Sequence, residues 1–183
     1  MMKKRLTSLA LSAMMVLSMV PATAFAAKDA GTPPTYNSAT GCYEISTPAQ
    51  LLYLSGKWKD GAPRDGHYVL TADIDMSGVK GFKPIASKKA EGFTGTFDGQ
   101  FHSIKGLRVE YEKKYAGLFG YVGNQDDQAY IKNVALLDCY VTGQQNVGAL
   151  AGVNYGTITG CVVTGEVKCL DLSNSHTAGG ICG

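Results

Sequence analysis

Six side chains carry the clearest potential for chemistry: Asp73, Asp75, Asp98, His102, Lys105 and Arg108. Asp73 and Asp75 stand two apart in the alternating run Leu70-Thr71-Ala72-Asp73-Ile74-Asp75-Met76, so as a strand their carboxylates share a face about 7 Å apart. Carboxylates at that distance can bind calcium or divide acid and base roles, yet calcium takes roughly six to eight oxygens and no neighbours supply the rest. Asp98 and His102 fall on one face of the run from Phe93 to His102, beside Thr94 and Thr96. A carboxylate orienting an imidazole is half of a catalytic dyad, and no serine or cysteine is placed to complete it. Lys105 and Arg108, with Lys113 and Lys114, make a basic strip that can touch an anionic polymer. Tyr111, Tyr115, Tyr121, Tyr130, Tyr140 and Tyr155 can stack on sugars. Solvated strand faces and corner packing account for all of these without a reaction. The six are therefore kept as candidate binding residues, with no catalytic residue, metal site or cofactor assigned.

The elements that position them are set by periodicity. Ile104, Ile131 and Ile158 recur at one spacing (131 − 104 and 158 − 131 are both 27), each followed at i+2 by Gly106, Asn133 or Gly160 and by apolar residues at i+3 and i+5. Alternation marks a strand with one buried face, and glycine or asparagine tolerates a positive φ, so each copy reads as a bend followed by a short strand. A second column, Gly117, Gly148 and Gly179, recurs at a longer spacing (148 − 117 and 179 − 148 are both 31). Repeats of this length indicate a solenoid, and unequal periods place variable connections at one side of it. The expected fold is all-β, a β-solenoid with one short N-terminal α-helix. That helix begins at Thr47-Pro48-Ala49-Gln50, an N-cap, an N1 proline and a capping-box glutamine, and continues through Leu51, Leu52, Leu54 and Trp58 until Gly61 and Pro63 end it. Phe93, Gly95, Phe97, Gly99 and Phe101 form the inward side of one continuous strand that leads into Ile104. Beyond Tyr115 charges thin out and glycines concentrate.

Composition sets the address. Lys3, Lys4 and Arg5, the apolar run Leu6 to Val20, and Ala24-Phe25-Ala26 describe a secretory signal peptide over residues 1–27. Its three cations removed, 14 Lys and Arg face 15 Asp and Glu, a balance that argues against nucleic acid as a partner. No later apolar run is long enough for a transmembrane segment in the mature chain, so the protein is expected to be secreted or held at the cell surface. Residues 28–41, a polar stretch carrying Gly31, Pro33, Pro34 and Gly41, read as a flexible leader. Residues 42–110 open the solenoid and 111–183 continue it. Five cysteines are exported, an odd number. Cys139 and Cys169 precede Gly148 and Gly179 at nearly the same interval, and could stack on neighbouring rungs as a disulfide or remain buried thiols.

Val147-Gly148-Ala149-Leu150-Ala151-Gly152-Val153-Asn154-Tyr155-Gly156-Thr157-Ile158-Thr159-Gly160-Cys161, with Val162-Val163-Thr164-Gly165 after it, resembles the GLUG motif of secreted bacterial proteins. The stretch Tyr43 to Leu107 is similar to the segment that often precedes GLUG repeats. The resemblance implies a right-handed parallel β-helix on large exported or cell-surface proteins with adhesion-like or scaffold roles, and it brings no catalytic signature. The functional expectation is an exported, non-enzymatic β-solenoid scaffold or adhesion-like binding module, the N-terminal part of a larger bacterial surface protein, with a glycan or a host or cell-surface ligand as partner. The alternatives are a glycan-active β-helix enzyme of lyase or hydrolase type and a spacer for a downstream domain. The last residues, Ala178 to Gly183, stop before the isoleucine due near position 185, so further repeats or domains are expected downstream.

Overall fold

A series of short strands, each with one apolar face and recurring at rung length, buries those faces by coiling on itself. The computed structural model, which describes residues 31–56, 61–171 and 177–183, is a parallel β-solenoid of about 4 turns with almost no helix. The signal-peptide expectation for 1–27 lies outside the described residues, as does Trp58. The first turn holds β1 (Thr35–Asn37), β2 (Cys42–Ile45) and α1 (Pro48–Tyr53). The second holds β3 (His67–Leu70) and β4 (Ile74–Asp75), the third β5 (Thr96–Asp98), β6 (Ser103–Lys105), β7 (Arg108–Ala116) and β8 (Phe119–Val122). Then come β9 (Tyr130–Lys132), β10 (Ala135–Gly148) and β11 (Ala151–Asn154), and finally β12 (Thr157–Thr159), β13 (Val162–Cys169) and β14 (Ala178–Gly179).

Three walls enclose one core. Along the first, Tyr43, Tyr68, Phe97, Ile131 and Ile158 stand in register from turn to turn. Along the second, Ile74, Ile104, Leu136 and Val163 do so, and β7, β10 and β13 extend that wall around a corner with Val109, Val141 and Val167 in register. Ile85, Phe119, Ala151 and Cys182 line the third. Rings stack through the centre, Tyr43 on Tyr68 at 5.2 Å, Tyr68 to Phe93 at 6.0 Å and Phe93 to Phe119 at 5.1 Å between centroids. The hydroxyl of the fully buried Tyr68 donates to Pro63 O at 2.7 Å, which removes the penalty of a buried unpaired donor.

The glycine column stacks as the sequence suggests: Gly148 is in register with Gly179, and a Cβ added to Gly117 would meet Gly148 O at 2.7 Å. The isoleucine column does not. Ile104 lies between Ile74 and Leu136 on the second wall, while Ile131 lies between Phe97 and Ile158 on the first. The isoleucine spacing is therefore a rung repeat only from Ile131 to Ile158; from Ile104 it leads off one wall onto another. Gly106, Asn133 and Gly160 all have positive φ (67°, 55° and 61°), but Gly106 N donates to Leu137 O whereas Asn133 N donates to Thr159 O, so the bends fall in two corners. Residues 28–41 are not wholly a leader: β1 pairs antiparallel with β2, held by Asn37 Nδ2 donating to Glu44 Oε1 at 2.7 Å and by Tyr36 packing on Tyr43.

The helix has the expected cap, with Gln50 N donating to Thr47 Oγ1 at 3.3 Å and Gln50 Oε1 accepting from Ser46 N at 2.8 Å. It stops at Tyr53 rather than near Gly61, because Gly56, at φ +85°, must bridge to Ile85 on the third wall. The run Phe93–His102 is no continuous strand either. Gln100 and Phe101 take φ of 47° and 65°, a corner that turns Phe101 out to 83 % exposure.

Candidate functional site

That corner separates the residues whose pairing the sequence suggested. Asp98, at the end of β5, faces Lys132 on β9, with Lys132 Nζ 3.1 Å from Asp98 Oδ2. Its Oδ1 accepts from Gln100 N at 2.9 Å and from Asn133 Nδ2 at 3.2 Å. Burial pushes this carboxyl up, and the bonds from Gln100, Lys132 and Asn133 together outweigh it, so the group stays below its ordinary range. His102, on the far side of the corner, turns to Asp73 instead, Nδ1 to Oδ1 3.4 Å. The Asp98–His102 dyad is therefore corrected to two separate clusters.

The two carboxylates of the Asp73–Asp75 pair are likewise directed apart. Asp73 Oδ1 accepts from Ser103 N at 2.7 Å, one turn on, and the Ser103 amide, its hydroxyl and His102 hold the exposed carboxyl low. Asp75 closes a local turn, its Oδ1 accepting from Ser77 Oγ at 2.6 Å and Ser77 N at 2.9 Å, and those bonds with Lys105 lower it. Among the described residues no group of three His, Cys, Asp or Glu is placed to hold a metal ion.

Two of the four cations of the basic strip, Lys105 and Arg108, are neutralised. Lys105 Nζ lies 3.7 Å from Asp138 Oδ2 and Arg108 Nη2 2.8 Å from Glu110 Oε1. Arg108 also lies over the Tyr140 ring, 4.3 Å from its centroid, and Lys168, paired with Glu166, is 5.4 Å from the same ring. Tyr140 is thus a cation-bearing plate rather than a free sugar platform. Its cations come from the turn before and the turn after, a relation visible only once the rung register is known. Lys132 and Asn133, the partners of Asp98, were missed for the same reason.

Cys139 and Cys169 cannot be joined. Cys139 is in register with Gly165 and Cys169 with Gly143, an offset of four positions or roughly 13 Å along the strand, beyond the ~7 Å Cα separation a disulfide spans. The step between registered partners grows from 26 at Gly143–Cys169 (169 − 143) to 31 at Val147–Ala178 (178 − 147), so a count made back from the glycines does not hold at the cysteines. All five cysteines are free thiols, and burial pushes those of Cys139, Cys161 and Cys182 up.

The open features of the surface are grooves. One, of about 970 Å³, runs beside the ridge of β7 and is lined by Lys83, Lys88, Tyr111, Lys113, Tyr140 and Leu170 among others. A smaller one, about 380 Å³, lies between the Lys89–Ala90 turn, the loop at 124–126, and Tyr121 and Tyr155.

No family model matches the chain. Over 77 % of its length it is 33 % identical to halomucin of Haloquadratum walsbyi, and over 63 % it is 34 % identical to a protein of Evansella cellulosilytica named a Gly-rich membrane protein. The chain spans only 2 % and 14 % of those relatives' lengths. Among solved structures it is similar to a Bacteroides ovatus protein named after the immunoglobulin A1 proteases, with a TM-score of 0.56, 19 % identity, and coverage of 74 % of this chain and 41 % of that one. That similarity shows the β-solenoid fold. The named relatives fit a surface-protein role, and among the described residues no helix is long and apolar enough to cross a membrane.

Proposed function

We propose that this chain is an exported binding module of a larger bacterial surface protein: a GLUG-type β-solenoid, with 42–110 as its opening segment and 111–183 as its repeats, that works without catalysis. One observation carries the reading. The carboxylates and the imidazole that could do chemistry are each tied into the wall by hydrogen bonds from a neighbouring turn or a local bend, whereas the long side opens a groove of about 970 Å³. A general acid or base must be free to meet a substrate proton; Asp73, Asp75 and Asp98 are committed to Ser103, Ser77, Lys132 and Asn133. The relatives support the same reading, because a segment that matches a few per cent of a very long protein has the size of one module in it. The neighbour's protease name does not extend to this chain, since 19 % identity carries the fold alone.

Depletion of the purified chain from solution by a panel of insoluble polysaccharides, with the supernatants assayed for new reducing and unsaturated ends, tests the proposal. Binding without turnover is expected. Release of ends makes the protein a glycan-active enzyme, and neither binding nor release makes it a spacer.

A further inference from the structure

The smaller groove owes its existence to an irregularity in the solenoid. The step between registered partners is 32 from Val122 to Asn154 (154 − 122) but 27 from Tyr130 to Thr157 (157 − 130). The difference of five is Asn124, Gln125, Asp126, Asp127 and Gln128, inserted where the next turn has only Tyr155 and Gly156. The insertion is a compact loop. Asn124 Oδ1 accepts from Asp126 N and Asp127 N at 2.8 and 2.7 Å, and Asn124 N donates to Asp127 O at 2.9 Å. This leaves Asn124 spent, while the groove is also lined by Gln125 and Asp126, whose side chains have no hydrogen-bond partner among the described residues.

Facing the loop is an aromatic floor. Tyr155 is 45 % exposed and lies on Tyr121 with ring planes within 10° and centroids 6.5 Å apart. Tyr121 is itself buried and braced by Tyr115, edge-on at 4.6 Å. The third side carries Lys89, free of the Lys88–Glu91 ion pair beside it. Elsewhere the cations Lys88, Lys105, Arg108, Lys132 and Lys168 each meet a carboxylate; here a donor-only ammonium, an acceptor-only carboxylate and an amide that does both surround an exposed ring without meeting one another.

We infer that this groove binds an uncharged pyranose unit of a polysaccharide, its apolar C–H face on Tyr155 and its hydroxyls on Lys89, Gln125 and Asp126. A pyranose has one apolar face and a rim of groups that both donate and accept, which matches the ring and the mixed rim. The formal charges of Lys89 and Asp126 cancel, which disfavours a uronate or sulfated unit. The volume of about 380 Å³ falls at the small end of ligand sites. The inference rests on the reading of the chain as a binding module and names a site for it.

Isothermal titration of the intact chain with cellohexaose, xylohexaose and hexagalacturonate tests it, alongside Y155A, Y155F and D126A. A neutral hexaose is expected to bind the parent, Y155F to keep that affinity, and Y155A and D126A to lose on the order of tenfold, the size of one ring or hydrogen-bond contact. Tyr155 and Asp126 are on the surface, and unchanged circular dichroism confirms folded variants. Equal binding by parent and Y155A, preference for hexagalacturonate, or binding of neither neutral hexaose each overturns the inference. A parent depleted by insoluble polysaccharide yet indifferent to the soluble hexaoses overturns this site alone and leaves the module reading standing.

Discussion

Gly99 offers the sharpest test of how the turns are stacked. Its φ is not positive, so alanine there suffers no backbone strain; the obstacle is space. A Cβ on Gly99 would press on Asn133 O and lie 2.8 Å from both Asn133 C and Val134 Cα, all backbone of the next turn. None of these can rotate away, and two hydrogen bonds fix the spacing on either side, Gly99 N to Lys132 O at 2.8 Å and Phe101 N to Asn133 O at 3.0 Å. G99A must therefore push the turns apart, at about 1–3 kcal/mol for overpacking with the two bonds stretched as well. Gly78 supplies the control, since its added Cβ meets nothing within 4 Å and G78A should gain about 0.4–1 kcal/mol through the unfolded chain. The expected gap of about 1.4–4 kcal/mol corresponds to roughly 3–16 °C in melting temperature for a chain of this size. Thermal melts followed by circular dichroism decide the matter: coincident midpoints, or G99A melting above G78A, would refute the stacking described here.

The carboxylates predict an acid limit. Asp98 is held below its unfolded value, so the stability it contributes is present above the unfolded pKa of about 3.9 and is lost as pH falls through the lower folded value. D98N should melt below the parent at pH 7, and in urea titrations the gap should begin to narrow at about pH 4 and close only below the folded pKa; a constant gap would contradict the Lys132 and Asn133 bonds. The thiols predict redox indifference. Melting should be the same with and without dithiothreitol, and Cys139, 2 % exposed, should react with a thiol reagent only after denaturation; a reductant-dependent fall in stability would restore a disulfide.

The solenoid was legible because alternation of period two, bends at Gly106, Asn133 and Gly160, and recurrence at rung length are signals that survive without knowledge of contacts. Register was not. The spacing from Ile104 to Ile131 equals the rung repeat from Ile131 to Ile158, yet Ile104 pairs with Leu136, because connections of unequal length can make residues on different walls seem equivalent. The same ambiguity hid the site contacts. Asp98 was matched with His102 by counting along one strand, when the positive φ of Gln100 and Phe101, neither of them glycine, breaks the strand between them. Asp98 meets Lys132 across turns, in a pairing that local sequence does not announce. Tyr155 was visible only as one of many tyrosines, since nothing local distinguishes it from Tyr130 or Tyr140.

The mismatch between the isoleucine and glycine spacings nonetheless contained information, because in a stacked fold the walls fix register and only connections are free to vary in length. Lengthening a connection from two residues to seven costs about 1 kcal/mol in closure entropy, and the four hydrogen bonds centred on Asn124 work against that cost. The insertion is thus nearly neutral for the fold, and its removal should be as well. Deleting residues 124–128 leaves Gly123-Ala129 as a two-residue connection like Tyr155-Gly156 one turn later, and keeps the bond from Thr157 N to Ala129 O that ties the turns together. The shortened chain should melt within about 1 kcal/mol of the parent while losing the groove wall that carries Gln125 and Asp126, and with it the neutral oligosaccharide. A cooperative unfolding transition with binding retained would show that the ligand is held elsewhere. Collapse of the fold would show instead that the loop is structural, and that the longer period marks a brace between turns rather than a surface built for recognition.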